Sequence, residues 1–153
     1  GRAGRSAKGG RVIVQTYLPH DPSIKAAAQH DYDGFAENEL RERAAFYYPP
    51  ASRLARVLVH GKDKEKALGA AKEAAQALRA GASAQTRRGL RVEVLGPSPA
   101  PIAMLDGQHR FHLLVKAPDG TALAELFAGP VAEALEKLKG AETVVDVDPL
   151  AML

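Results

Sequence analysis

The feature that most constrains the fold is a regular order of hydrophobic patterns between residues 53 and 148. Two-residue alternation predicts four strands, over residues 53–60, 90–95, 110–116 and 143–148. Helical spacing of apolar residues predicts one helix from Asp63 to a stop at Gly81, and a second from Thr121 that kinks at Gly129 and ends at Gly140. The long stretch 98–108 is interpreted as a hairpin connection.

This order, β-α-β-β-α-β, predicts an α+β domain of the ferredoxin-like, or split βαβ, class. In that arrangement two helices cover one face of a four-stranded antiparallel sheet. The other face is left open. We therefore expect the side chains of that second face to bind something.

The first fifty residues have a different pattern. The β-branched run 12–17 predicts one buried strand that ends at Pro19. Asp21 followed by proline predicts a capped helix through Ala28, and Asp31 can cap a second helix that ends before the Tyr-Tyr-Pro-Pro run 47–50. The second helix should carry its apolar side chains on one face, namely Tyr32, Phe35, Leu40 and Ala44.

Strand alternation also sorts side chains between the two faces of the predicted sheet. The set expected to face the helices is Ala55, Val57, Val59, Val92, Val94, Phe111, Leu113, Val115, Val145 and Val147. The set expected on the open face is Arg56, His60, Arg91, Glu93, Arg110, His112 and Lys116, with Leu54, Leu58, Leu95 and Leu114. Leucines interleaved with cations indicate a docking surface, for nucleic acid or for another domain.

The basic residues are clustered although the net charge is only +3, with a pI near 9.3. The candidate nucleic-acid contacts are Arg87, Arg88 and Arg91 on the hairpin side, and Arg56, Arg110 and Lys116 on the sheet face. The absence of cysteine excludes disulfides and thiolate metal sites. The five histidines lack metal-ligand spacing, and no nucleophile elbow or complete P-loop is present. The sequence therefore predicts no metal site and no self-contained catalysis, and its lack of a long apolar run predicts a cytoplasmic protein without a membrane span.

Several segments, in order along the chain, carry a resemblance to a known family. The first is the glycine-arginine pentapeptide 1–5, which is similar to the end of helicase motif VI of superfamily 2. Those that follow are 10–17 (GRVIVQTY), 28–35 (AQHDYDGF), 39–40 (EL), 48–50 (YPP), 95–102 (LGPSPAPI) and 145–149 (VDVDP). Together they resemble the PriA family of primosomal replication-restart DNA helicases across nearly the whole chain. In that family the Tyr-Pro-Pro run is usually followed by an aromatic residue, whereas Ala51 stands here, so Phe46 or Tyr47 would have to supply the packing.

The resemblance implies three parts. Residues 1–20 would end the second helicase lobe, 21–50 would be a helical connector, and 51–153 would be a C-terminal domain similar in fold to ribosomal protein S10. Arg2 and Arg5 would contact nucleotide only within an intact parent, an ATP-dependent DNA helicase of 3'-to-5' polarity whose Mg-ATP and zinc sites lie upstream. The implied partners are branched and single-stranded DNA, single-stranded-DNA-binding protein and primosome loading proteins.

Two other functions stay open at this point. The basic, leucine-bearing face could pack on the helicase body without touching DNA. Alternatively the chain could be an S10-like RNA-binding protein, although the first strand of the sheet has no aromatic side chain for base stacking.

Overall fold

A computed structural model of the chain describes residue 10 and residues 12–149, which divide into two compact units at Arg41. In the first unit the run 12–17 forms no strand, and Val12 and Ile13 are 72% and 81% exposed. The predicted buried strand is therefore wrong for this chain. A strand needs a neighbour to receive its backbone hydrogen bonds, and none of the described residues pairs with this run.

The two predicted N-terminal helices are confirmed, as α1 (Pro22–Gln29) and α2 (Tyr32–Ala45). Asp21 caps α1 by accepting from the Ser23 backbone N–H at 2.8 Å. Asp31 caps α2 in the same way, accepting from Gly34 N–H at 2.9 Å. Neither helix has a buried residue, and in the apolar set predicted for α2 Tyr32 and Leu40 are 76% and 50% exposed.

The second unit is an α+β domain built on one four-stranded antiparallel sheet. Its elements in chain order are β1 (Arg53–Gly61), α3 (Lys64–Arg87), β2 (Glu93–Leu105), β3 (Gln108–Ala117), α4 (Gly120–Leu126), α5 (Pro130–Glu136) and β4 (Glu142–Val147). The strand order is β2-β3-β1-β4, and every neighbouring pair is antiparallel. All four predicted strands exist, and the arrangement is compatible with a ferredoxin-like fold.

Several predicted boundaries are wrong. The first long helix does not stop at Gly81 but continues to Arg87. The segment 98–108 is not a loop, because β2 runs on to Leu105 through two register shifts and turns at Asp106 and Gly107, both with positive φ. The last helix is capped by Asp119 rather than Thr121, is broken at Gly129 into α4 and α5 rather than kinked, and ends at Glu136 rather than Gly140.

Gly81 lies inside α3 because the next helices pack against it there. A Cβ at this position would come within 2.8 Å of both Leu126 Cδ1 and Val131 Cγ2. The missing side chain thus permits close contact between α3 and the α4–α5 pair. The usual association of glycine with helix ends is overridden by packing.

The core lies between α3, α4 and the two central strands. Ala55, Val57, Val59, Leu113 and Val115 are fully buried, as the alternation predicts. At the edge strand β4, Val145 and Val147 lie on this same face, opposite Val57 and Ala55, but they stay 40% and 51% exposed. The helical layer therefore covers the middle of the sheet and leaves the β4 edge open.

Two glycines of α3 allow a matched test of this packing. Gly69→Ala should stabilise the domain by about 0.5–1 kcal/mol, because a Cβ there meets no atom within 4 Å and alanine favours the helix. Gly81→Ala should destabilise it by about 1 kcal/mol, because overpacking against Leu126 and Val131 outweighs the same helical gain. Urea denaturation of both variants measures the two free energies, and changes of the same sign would contradict the packing account.

Candidate nucleic-acid interface

The turn that ends α3 presents three arginines, Arg87, Arg88 and Arg91, which we call the arginine turn. All three are exposed. Gly89 adopts a φ of +86°, and the backbone N–H groups of Gly89 and Leu90 donate to Thr86 O and Gln85 O, closing the helix end. The left-handed glycine reverses the chain, so that the arginines before and after it extend from one exposed turn.

Each arginine of this turn has a different local contact. Arg88 forms an ion pair with Glu125 at 2.8 Å, and Arg91 forms one with Glu93 at 2.6 Å. Arg91 also lies 4.2 Å from the centre of the Tyr47 ring. Arg87 has no carboxylate within ion-pair distance among residues 12–149. The two ion pairs are exposed to solvent and therefore weak.

The sheet face opposite the helices is more enclosed than the alternation predicts. Leu54 and Leu58 are buried, as are Arg110 and Lys116. The Arg56 guanidinium reaches Asp146 at 3.4 Å, and Arg110 donates to Ile102 O at 3.4 Å. The expectation of a fully open basic face is therefore wrong, although Leu95 remains exposed.

Lys116 is the most enclosed of the predicted DNA contacts, with 4% of its surface exposed. Its Nζ donates to Phe46 O at 3.0 Å, lies 3.7 Å from the centre of the Tyr48 ring, and is 3.8 Å from Glu93. These contacts use the hydrogen-bonding capacity of the ammonium group within the chain. Lys116 thus anchors the 46–48 segment to the sheet.

Tyr47, which the sequence offered only as one of two candidates for packing at this turn, is a second anchor. It is buried, and its hydroxyl donates to Arg91 O at 3.1 Å. Burial raises the pKa of Tyr47, which keeps the phenol protonated as a donor. Of the two candidates for packing at this turn, Tyr47 is buried and Phe46 is 70% exposed.

His112 lies on the same face of β3, opposite Leu58 of β1. Its Nδ1 is buried without a hydrogen-bond partner in the described part of the chain. Burial, followed by the charge of Arg56, lowers the pKa of His112. The imidazole is thus held neutral beside a guanidinium.

Three other predictions concern the nucleotide-binding arginines, a metal site and a membrane span. Arg2 and Arg5 lie outside the described residues. Within residue 10 and residues 12–149, no three His, Cys, Asp or Glu side chains come together as metal ligands. In that same part of the chain, no helix is both long and apolar enough to cross a membrane.

An α+β domain with three exposed arginines at one helix end has the features of a small nucleic-acid-binding domain. Within that class, residues 44–150 match the family model described as Primosomal protein N C-terminal domain. The chain therefore belongs to the PriA family and contains its C-terminal domain.

Relatives agree with this assignment. The chain is 33% identical to "Replication restart protein PriA" of Bacillus subtilis over 97% of its own length, and 34% identical to the protein of the same name from Treponema pallidum over its full length. These matches cover 18% and 22% of the two relatives, so the chain spans about a fifth of their length.

The enclosure of Lys116 predicts a structural effect that the arginine turn lacks. Lys116→Met should lower the free energy of unfolding by about 2 kcal/mol, because Phe46 O and Glu93 lose their buried donor. Arg87→Met, in an exposed side chain, should change it by less than about 0.5 kcal/mol. Equal effects in urea denaturation would show that the Lys116 contacts do not stabilise the fold.

His112 predicts a pH dependence of stability. Its pKa is lower in the folded protein than in the unfolded chain, so the unfolded state binds more protons as pH falls below about 6.5. His112 should therefore destabilise the wild type progressively as the pH falls through about 6.5. His112→Gln should remove this part of the pH dependence. Parallel wild-type and variant curves around that pH would contradict the expectation.

Proposed function

We propose that this chain acts in replication restart as a DNA-binding domain, and that the arginine turn is its main DNA contact. The observation that carries the proposal is the grouping of Arg87, Arg88 and Arg91 around one exposed helix end. The names of the relatives support the process, since both are replication restart proteins. The substrate would be branched DNA of the kind found at stalled forks.

The chemistry of the turn suits phosphate. A guanidinium presents two parallel N–H groups that match two phosphate oxygens. The pairs Arg88–Glu125 and Arg91–Glu93 are solvent-exposed, so each contributes at most about 1 kcal/mol and can be exchanged for a phosphate contact. Arg87 needs no such exchange.

The sheet-face cations form a weaker part of the proposal. Arg56, Arg110 and Lys116 remain predicted DNA contacts, but each already has a partner within the chain. To bind a phosphate, each of these three side chains would have to break its partly buried contact within the chain. This observation favours a second function for the face, packing against the helicase body of the intact protein. The β1 and β3 amides are already hydrogen-bonded within the sheet, so their protection from hydrogen exchange cannot separate the two functions. The test is side-chain footprinting of this face in the intact protein with no DNA present.

The remaining expectations concern the whole protein. We propose that the intact parent is an ATP-dependent helicase of 3'-to-5' polarity in the cytoplasm, with Arg2 and Arg5 at its nucleotide and with zinc bound upstream. Single-stranded-DNA-binding protein and primosome loading proteins would be its partners. We also propose that the 51–153 domain has the split βαβ fold of ribosomal protein S10. Membership of the PriA family favours DNA over RNA as the nucleic acid.

Replacing the arginine turn tests the DNA proposal. The triple variant Arg87→Ala, Arg88→Ala, Arg91→Ala of the 153-residue chain should bind forked DNA more weakly. Its salt slope, the change of log affinity with log salt, should flatten by about 0.9 for each duplex phosphate that the variant no longer neutralises. Fluorescence anisotropy across several salt concentrations measures both quantities.

A charge-matched control separates direct binding from general attraction. Lys62, Lys64 and Lys139 are also exposed, and replacing these three with alanine removes the same charge. This control should change the slope by less than about 0.9, the value for a single phosphate. Equal slopes in the two triple variants, or no change in either, would reject the arginine turn as the DNA contact.

A further inference from the structure

The two edges of the sheet are built differently. β2 forms one edge, and it is interrupted by Pro97, Pro99 and Pro101 and by two register shifts. β4 forms the other edge, and its six residues contain no proline, glycine or lysine. Proline, bulges and charged side chains, above all lysine, are the usual devices that stop another strand from pairing with an edge. The β4 edge has no proline, bulge or lysine, and its charged residues are the acids Glu142 and Asp146.

The backbone of β4 offers hydrogen bonds outward. Asp148 N–H donates to Leu54 O at 2.7 Å, which makes this a hydrogen-bonded pair at the end of the β1–β4 register. Bonded and non-bonded pairs alternate along an antiparallel ladder. The N–H and C=O groups of Thr143, Val145 and Val147 therefore point away from β1, where no described strand pairs with them.

A groove lies beside this edge on the helical side of the sheet. Its volume is about 610 Å³, and its apolar lining includes Phe127, Leu135, Leu138 and Val145. Thr143 also lines the groove, and its hydroxyl is buried without a hydrogen-bond partner among the described residues. A strand added beside β4 would place every second side chain in this groove.

The acidic side chains near the β4 edge favour an added strand that carries basic residues. Glu136 and Glu142 line the groove, and none of the described residues in its lining is Lys or Arg. Asp146 lies on the opposite face of β4, next to the exposed Val144, and it is still 42% exposed beside Arg56. An incoming strand with apolar and basic side chains at alternate positions matches both faces.

A second copy of the chain fits this edge poorly. In the two central registers of a symmetric antiparallel β4 pair, Glu142 of one copy lies opposite Asp146 or Asp148 of the other. Like charges directly opposite each other destabilise a strand pair. The acids thus oppose self-pairing while they favour a basic partner.

We propose that the outer edge of β4 is a docking site for an extended basic segment of a partner protein. The segment adds as a fifth strand and bonds to the backbone of Thr143, Val145 and Val147. Its apolar side chains fill the groove, and its Lys or Arg side chains lie beside Glu142 and Asp146. The site is separate from the arginine turn, so it stands whether or not the chain binds DNA.

The experiment uses the 153-residue chain and a seven-residue capped peptide, Val-Lys-Val-Lys-Val-Lys-Val. Nuclear magnetic resonance should show peptide-induced shifts centred on β4, and slowed amide exchange at Thr143, Val145 and Val147. The same peptide with glutamate in place of lysine should bind at least about fivefold more weakly, because it faces Glu142 and Asp146. N-methylation of the peptide amides should abolish binding, since it removes the ladder hydrogen bonds while the side chains remain.

Two protein variants complete the design. Glu142→Lys should weaken binding about twofold to fivefold, the effect of one exposed ion pair. Glu73→Lys, the same change on the exposed side of α3, should leave it unaltered. Shifts centred away from β4, equal binding of the glutamate peptide, or binding that survives N-methylation would each overturn the proposal.

Discussion

The structure depends on the contact between the alanine-rich face of α3 and the two central strands. Ala67, Ala70, Ala71, Ala74 and Ala75 are all buried there, with Leu78 as the one large side chain among them. Small side chains let the helix axis approach the sheet closely, and they make the contact sensitive to added volume. The same closeness requires glycine at position 81, where α4 and α5 meet the helix.

The length of α3 then determines where the arginine turn lies. Twenty-four helical residues span about 36 Å, whereas the nine residues of β1 span about 30 Å. The helix is longer than β1 by about one turn, and it ends at Arg87 with Arg88 as its C-cap. The position of the arginine turn therefore follows from a helix that continues past the glycine at which sequence rules would end it.

The sequence was sufficient to predict what depends on local periodicity. The four strands, their alternation at the centre of the sheet and the aspartate caps of α1, α2 and α3 all have signals within a few residues. The enclosure of the sheet face opposite the helices has no such local signal. It depends on contacts between residues far apart in sequence, since Lys116 bonds to Phe46 over 70 residues and Tyr47 bonds to Arg91 over 44. The run 12–17 has a strand pattern but no partner strand among the described residues, so pattern alone was not enough.

Clustered charge predicted the candidate DNA contacts, but burial divides them into two kinds. Lys116 and Arg87 have the same charge, yet one is enclosed by a carbonyl, a ring and a carboxylate while the other faces solvent. A phosphate can replace a weak exposed pair at small cost, whereas an enclosed ammonium would have to leave good partners. The acidic β4 edge repels phosphate for the same electrostatic reason that it attracts a basic strand. Nucleic acid and protein partners would therefore be sorted by charge to different surfaces of this small domain.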